Sequence, residues 1–168
     1  GQIKVRRPDP QALWKKHAPK TDWDNADASY EREETKGIWK TSPGLPSEWK
    51  VTLGAFAFHV KLTPFKHTGV FPEQMQNWTW IEERIKNAGR KISVLNLFGY
   101  TGGATLAAAK AGADVTHVDG SKSAVTWAKK NAELSELSGK PIRWIEDDVR
   151  AFVKREIKRG VKYDAIIM

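Results

Sequence analysis

A chain of 168 residues is long enough for one domain, or for part of a larger one. With 28 Lys and Arg against 20 Asp and Glu its net charge is +8, and a 40% hydrophobic content with 13 glycines excludes a disordered chain. The absence of cysteine excludes disulfides, thiolate metal sites and a cysteine nucleophile within these residues. His17, His59, His67 and His117 form no spaced ligand pair, so no metal site is expected. No apolar run approaches the ~20 residues that span a bilayer, and no signal-like segment opens the chain, so no membrane association is expected and a cytoplasmic location is the default. The chain opens at Gly1 and stops at Met168 inside an apolar run, which predicts part of a longer protein.

Charge gathers at both ends. Lys4, Arg6, Arg7, Lys15, Lys16 and Lys20 face only Asp9, and Arg150, Lys154, Arg155, Lys158, Arg159 and Lys162 face only Glu156. Such ends fit an acidic partner such as RNA. A solvated tail and helix face explain them with less, and that reading is preferred.

Residues 1–47 hold Pro8, Pro10, Pro19, Pro43 and Pro46. They read as an irregular segment pinned by Trp14, Trp23 and Trp39. Trp49, Val51 and Leu53, then Phe56, Phe58, Val60 and Leu62, alternate with their neighbours and predict a β-hairpin with one buried face. From Pro72 the period becomes helical: Trp78, Ile81, Ile85 and Ala88 share a stripe, and Gly89 suits its end. Ile92 to Phe98 is an apolar strand of the doubly buried kind. A glycine turn, an Ala-rich helix over 104–111 and a strand from Val115 to Val118 follow. Ser121 caps a helix carrying Val125, Ala128 and Ala132, which leads to a strand over Ile142 to Ile145. Val149, Phe152, Val153 and Ile157 mark another helix, and Tyr163 to Met168 begin a fourth strand. This alternation predicts an α/β fold with an open parallel sheet preceded by a small β-hairpin region. The boundary is placed between residues 64 and 65.

In such sheets ligands bind beyond the carboxyl ends of the strands. Three polar turns fall there: Asn96-Leu97-Phe98-Gly99-Tyr100-Thr101-Gly102-Gly103, then Asp119-Gly120-Ser121, then Glu146-Asp147-Asp148. Glycines let backbone approach a ligand, an acid at the second strand end reaches a ribose, and acids at the third can accept from an adenine amino group. The glycine spacing is wrong for a dinucleotide fingerprint, and no P-loop is present. An adenosine ligand without phosphates fits better.

These residues resemble a family. N-L-F-G-Y-T-G-G at 96–103, H-V-D-G-S at 117–121 and E-D-D-V at 146–149 look like motifs of the class I S-adenosylmethionine-dependent methyltransferases, and most closely of the bacterial ribosomal-RNA 5-methylcytosine methyltransferase branch. The segment from Phe65 to Gln74 is similar to that branch's Thr-Gly-x-Phe-x-x-Gln stretch. The resemblance covers roughly residues 65–168. It implies a Rossmann-like sheet, of which the N-terminal half is present, with S-adenosyl-L-methionine as cofactor. Asn96, Phe98, Gly99, Tyr100, Thr101, Gly102 and Gly103 would pack on the methionine moiety. Asp119, with Gly120 and Ser121, would bind the ribose, Asp147 and Asp148 the adenine, and Thr68, Phe71 and Gln74 would close the pocket. The family's Asp-Pro-Pro segment and the cysteine of the RNA enzymes fall after the fourth strand, so no catalytic residue is assigned here.

Residues 1–64 do not match the family's usual RNA-binding domain. His67 beside the pocket could act as a base, although a packed loop histidine is commoner. RNA is the partner expected from the relatives and the charge. The competing readings are an NAD(P)-dependent oxidoreductase and a non-catalytic adenosine- or RNA-binding module. Tyr163, Ala165, Ile166 and Ile167 are expected on an open sheet edge that further chain, a partner or a second copy would cover.

Overall fold

A computed structural model describes residues 3–9, 11–33 and 36–168; Gly1 and Pro10, used in the reading above, lie outside them. The chain divides into two compact units, one of residues 1–49 with 60–69, the other of residues 50–59 with 70–168.

The first unit holds more regular structure than its sequence suggests. Strand β1 (Val5–Arg6) pairs parallel with β2 (Ala28–Glu33), which pairs antiparallel with β3 (Lys36–Thr41); a short helix, α1 (Lys20–Asp24), lies between β1 and β2 in the chain. The irregular segment expected over 1–47 is thereby corrected. Tyr30 and Trp39 are direct cross-strand partners whose rings meet edge-on at 5.1 Å. Both also donate to residues 60–69: Tyr30 Oη to the Pro64 carbonyl at 2.9 Å and Trp39 Nε1 to the Thr63 carbonyl at 2.7 Å. Gly37 is required by this packing, because a Cβ there would lie 1.6 Å from Tyr30 Oη. Trp39 is thus an anchor as expected, whereas Trp14 is not: 71% of it is exposed.

Strands β4 (Glu48–Leu53) and β5 (Phe56–Lys61) form the expected two-stranded pair. In β5, however, successive residues from Phe56 to His59 are all buried, not one face alone. The reason lies in the second unit. Its helices are α2 (Met75–Lys86, entered through a 3-10 turn at Pro72–Gln74), α3 (Gly103–Lys110), α4 (Lys122–Leu134) and α5 (Val149–Lys158). The outer edge of β5 is met by side chains from α4 and its C-terminal cap, Ser135, in place of another strand. Ser135 Oγ pairs with both backbone groups of Ala57 at 3.0 Å, Asn131 Oδ1 accepts from the His59 N–H at 2.8 Å, and Trp127 Nε1 donates to the His59 carbonyl at 2.7 Å. Residues four apart on a helix stack on one face and match the alternate residues of a strand edge.

The main sheet comprises β6 (Ser93–Leu97), β7 (Asp114–Asp119), β8 (Ile142–Glu146) and β9 (Ala165–Ile167), parallel throughout in the order β8-β7-β6-β9. One face presents Leu95, Leu97 and Val118 to Val149 and Phe152 of α5. On the other, Asn96, His117 and Trp144 form a row in register, set against the small-residue helix α3. Ile157 and Ala88, expected on buried stripes, are exposed; Glu156 is buried instead, held by the Tyr163 hydroxyl at 2.6 Å and by Arg159 at 3.1 Å. Tyr163 therefore packs against the α5 cluster, not on the open edge, where Ala165, Ile166 and Met168 are exposed and Ile167 is half-buried. No helix among the described residues is long and apolar enough to cross a membrane.

Candidate functional site

The chain runs from β6 outward through β7 to β8, then returns to place β9 on the other side of β6. That reversal opens a crevice at the carboxyl end of β6, where α/β sheets bind their ligands. The loop filling it, 98–102, is conformationally demanding: Phe98 (φ 54°), Tyr100 (φ 48°) and Gly102 (φ 92°) all occupy the left-handed region. Non-glycine residues there cost of order 1–2 kcal/mol each and persist where surroundings hold them.

Here the surroundings are specific. The Tyr100 N–H donates to Asp119 Oδ2 at 2.9 Å, Gly99 N–H to the Val118 carbonyl at 3.0 Å and Gly102 N–H to the Gly99 carbonyl at 2.9 Å. Asn131 Nδ2 donates to the Thr101 carbonyl at 2.9 Å, inside the protein. The glycines serve packing as well as openness. A Cβ on Gly99 would lie 2.4 Å from the His117 ring, and one on Gly103 would lie 2.5 Å from the Trp78 ring.

Beneath the loop is a buried polar chain. Asn96 Nδ2 donates to Thr105 Oγ1 at 2.8 Å, and Thr105 Oγ1 is 2.8 Å from His117 Nδ1. Burial pushes the His117 imidazole down to about 4, opposed in part by the Asp119 charge, so it is neutral at pH 7. Its Nε2 is buried without a hydrogen-bond partner. Asn96 also lines a cavity, and one N–H of its amide is taken by Thr105.

That cavity, of about 180 Å³, is lined by Phe58, Val70, Phe71, Gln74, Trp78, residues 96–104, Ile167 and Met168. It brings together Phe71, Gln74, Asn96 and all of Phe98 to Gly103. Tyr100 stands between Phe71, 5.7 Å away, and Trp127, 6.5 Å away, as an aromatic wall. Phe58, Trp78 and Val70 are cavity wall that the sequence pattern does not single out, because an aromatic stripe at strand or helix spacing has no feature that separates wall from core.

Asp119 sits outside the cavity lining, joined to it through Tyr100. Its second oxygen accepts from the Ser121 N–H at 2.8 Å, so both oxygens hold backbone while each keeps a lone pair. Ser121 caps α4 by accepting from the Ala124 N–H at 3.3 Å. The Asp147 N–H donates to the Asp119 carbonyl at 3.0 Å, and a Cβ on Gly120 would lie 3.8 Å from the Asp147 carbonyl oxygen, which brings the second and third turns together. The Asp147 carboxylate is bound by Arg155, so one cation of α5 reaches the strand ends instead of facing only solvent. Asp148 is exposed and caps α5 through Oδ1, 2.8 Å from the Ala151 nitrogen. Thr68 belongs to the other unit, where its carbonyl accepts from the Lys61 N–H at 3.2 Å. His67 is in that unit too, its imidazole pushed down by burial and by Arg7 and Lys66.

A parallel sheet in this order, with an acid after the second strand and another opening the helix after the third, is the first half of the class I methyltransferase fold. No family model matches the chain. It is 35% identical over 113 residues to a ribosomal RNA large subunit methyltransferase K/L of a Shewanella species, a match spanning 66% of this chain and 15% of that protein. A crystal structure of an S-adenosylmethionine-dependent methyltransferase from Agrobacterium tumefaciens aligns over 99% of this chain and 53% of its own, with 46% identity and a TM-score of 0.92. A methyltransferase solved with S-adenosylhomocysteine shares the fold at 24% identity and a TM-score of 0.71, over 89% of this chain and 39% of that one. The chain therefore spans about half of the solved relative and a smaller part of the curated one. The resemblance of residues 96–103, 117–121 and 146–149 to class I S-adenosylmethionine-dependent methyltransferases is borne out, and the Rossmann-like fold with it; the relatives' names specify no 5-methylcytosine branch.

Proposed function

We propose that this chain is the S-adenosylmethionine-binding half of a methyltransferase that modifies a base of large-subunit ribosomal RNA. The observation that carries the reading is the alignment of three polar turns at adjacent strand ends, with Tyr100 N–H hydrogen-bonded to Asp119 across the first two. S-adenosylmethionine supplies an activated methyl group on a sulfonium, so the protein's task is to hold it and leave a line of approach for the acceptor. Asp119 has acceptor capacity left for two ribose hydroxyls. Asp148, exposed at the third strand end, is suited to an adenine amino group; Asp147, bound by Arg155, contributes through its backbone. Phe71, Gln74, Phe98 and Tyr100, with the turn from Gly99 to Gly103, enclose the methionine portion.

Three N–H groups of the first turn already donate within the protein. That speaks against a pyrophosphate, which needs such donors, and so against an NAD(P)-dependent oxidoreductase. Large-subunit ribosomal RNA enters from the curated relatives' names, and a partner covering β9 would bury Ile166 and Met168. Titration calorimetry with S-adenosylhomocysteine and with NADH tests the reading. Binding of the first and not the second is expected; the reverse would overturn it. A chain that binds S-adenosylhomocysteine, while the longer protein transfers no methyl group to large-subunit RNA, would leave only an adenosine-binding module.

A further inference from the structure

We propose that the cavity at the carboxyl end of β6 recognises the sulfonium charge of the cofactor through aromatic ring faces, with Phe71 and Tyr100 as the principal pair. This rests on the cofactor reading above and goes beyond it, to how the site tells reactant from product. S-adenosylmethionine and S-adenosylhomocysteine share the adenosine, the α-ammonium and the α-carboxylate. They differ in one methyl group and in the charge on sulfur. Transfer breaks the methyl–sulfur bond and leaves its electron pair on sulfur, so the product is a neutral thioether. A site that responds to the charge therefore favours the reactant.

Among the described residues that line the cavity, none carries an ionised side chain. A sulfonium enclosed there gives up water without meeting a carboxylate, which is costly unless something else answers the charge. Asp119, the acid joined to the lining through Tyr100, lies outside it, and its two oxygens accept from the Tyr100 and Ser121 N–H groups. The amide oxygen of Gln74 accepts from Asn77 Nδ2 at 2.7 Å.

What the lining supplies instead is aromatic. Phe58, Phe71, Trp78, Phe98 and Tyr100 are five of its sixteen residues, against 10% aromatic content in the chain. A ring face is negative and attracts a cation within ~6 Å of its centroid, more strongly where water is excluded. The Phe71 and Tyr100 centroids are 5.7 Å apart, close enough for one cation to interact with both rings. Phe58 and Trp78, 5.3 Å apart, are buried. Phe98 is exposed and held at φ 54°, where glycine would be unstrained. A large ring kept in water on a strained backbone gains little from the fold, which supports a role toward a ligand. The same ring faces repel a phosphate or a second carboxylate.

Titration calorimetry on the full chain tests this with three ligands: S-adenosylmethionine, S-adenosylhomocysteine, and sinefungin, in which a protonated amine replaces the methylsulfonium. The quantity read is the affinity of each cationic ligand divided by that of S-adenosylhomocysteine. Phe71→Leu and Tyr100→Leu keep an apolar side chain and the backbone N–H, and each should lower both ratios roughly threefold. Phe71→Tyr should retain them. A trifluorinated phenylalanine at position 71 keeps the shape of the ring but withdraws charge from its face. It should lower the ratios as Phe71→Leu does, with thermal unfolding unchanged. Ratios that survive both the leucine and the fluorinated variants would overturn the proposal, as would ratios that fall only in Asp119→Asn. Failure of all three ligands to bind the parent chain would overturn the cofactor reading itself.

Discussion

Asn131, buried in the last turn of α4, joins the Thr101 carbonyl of the first turn to the His59 N–H of β5, at 2.9 and 2.8 Å. One amide thus fixes the turn that shapes the candidate cofactor cavity and closes the edge of a strand behind it. Asn131→Ala removes a hydrogen-bond partner from a buried carbonyl and from a buried N–H at once. Each unsatisfied group costs about 1–3 kcal/mol. The variant should lose roughly 2–5 kcal/mol in urea unfolding, and Asn131→Asp, which keeps the acceptor but sets a carboxylate against the Thr101 carbonyl, should be no better. A loss under about 1 kcal/mol in both would show that water replaces the bridge.

The glycines of the first turn are constrained by different neighbours. Gly99→Ala forces a methyl into the His117 ring and Gly103→Ala forces one into Trp78. Overpacking of this kind costs about 1–3 kcal/mol. His117→Ala should relieve most of the cost of Gly99→Ala and none of that of Gly103→Ala. Denaturation of the two double variants distinguishes local clash from general fragility of the turn.

Asp119 has two duties. Asp119→Ala removes the acceptor of the Tyr100 and Ser121 N–H groups and, on the proposed function, that of the ribose. We expect a stability loss of about 1–3 kcal/mol together with at least a tenfold weaker affinity for S-adenosylhomocysteine. Calorimetry on the folded variant reads the second effect separately. Unchanged affinity would assign the carboxylate to the turn alone.

His117 makes stability depend on pH. Its folded value, about 4, lies below the ordinary 6.5, so between these limits the unfolded chain binds the extra proton. Stability is therefore full above pH 6.5 and is lost as pH falls toward 4, by roughly 2 kcal/mol between pH 7 and pH 5. Urea midpoints at the two pH values, compared with those of His117→Asn, should show the dependence shrink in the variant. An equal dependence in both chains would place its origin elsewhere, with acids such as Glu156, held below the usual range chiefly by the Tyr163 hydroxyl.

The strand–helix alternation after Pro72 and the turns at its strand ends could be read from sequence because local rules produce them. Apolar runs, caps at Ser121 and glycine stops act within a few residues, and a parallel order follows from the connections. Candidate acids could be named for the same reason: position at a strand end is a local property. What the tertiary structure decided is which neighbours each side chain meets. The β2–β3 pair was hidden because its charged, half-covered strands depend on Tyr30 and Trp39 reaching the carbonyls of Pro64 and Thr63. Asn131 could be noticed only as a poor helix former inside a helix, and Glu156 and Ile157 exchanged their expected places once Tyr163 and Arg159 were beside Glu156. Periodicity fixes the side of an element that turns inward, but a buried polar group is stable only with partners that lie far away in the chain, and folding alone brings those partners to it.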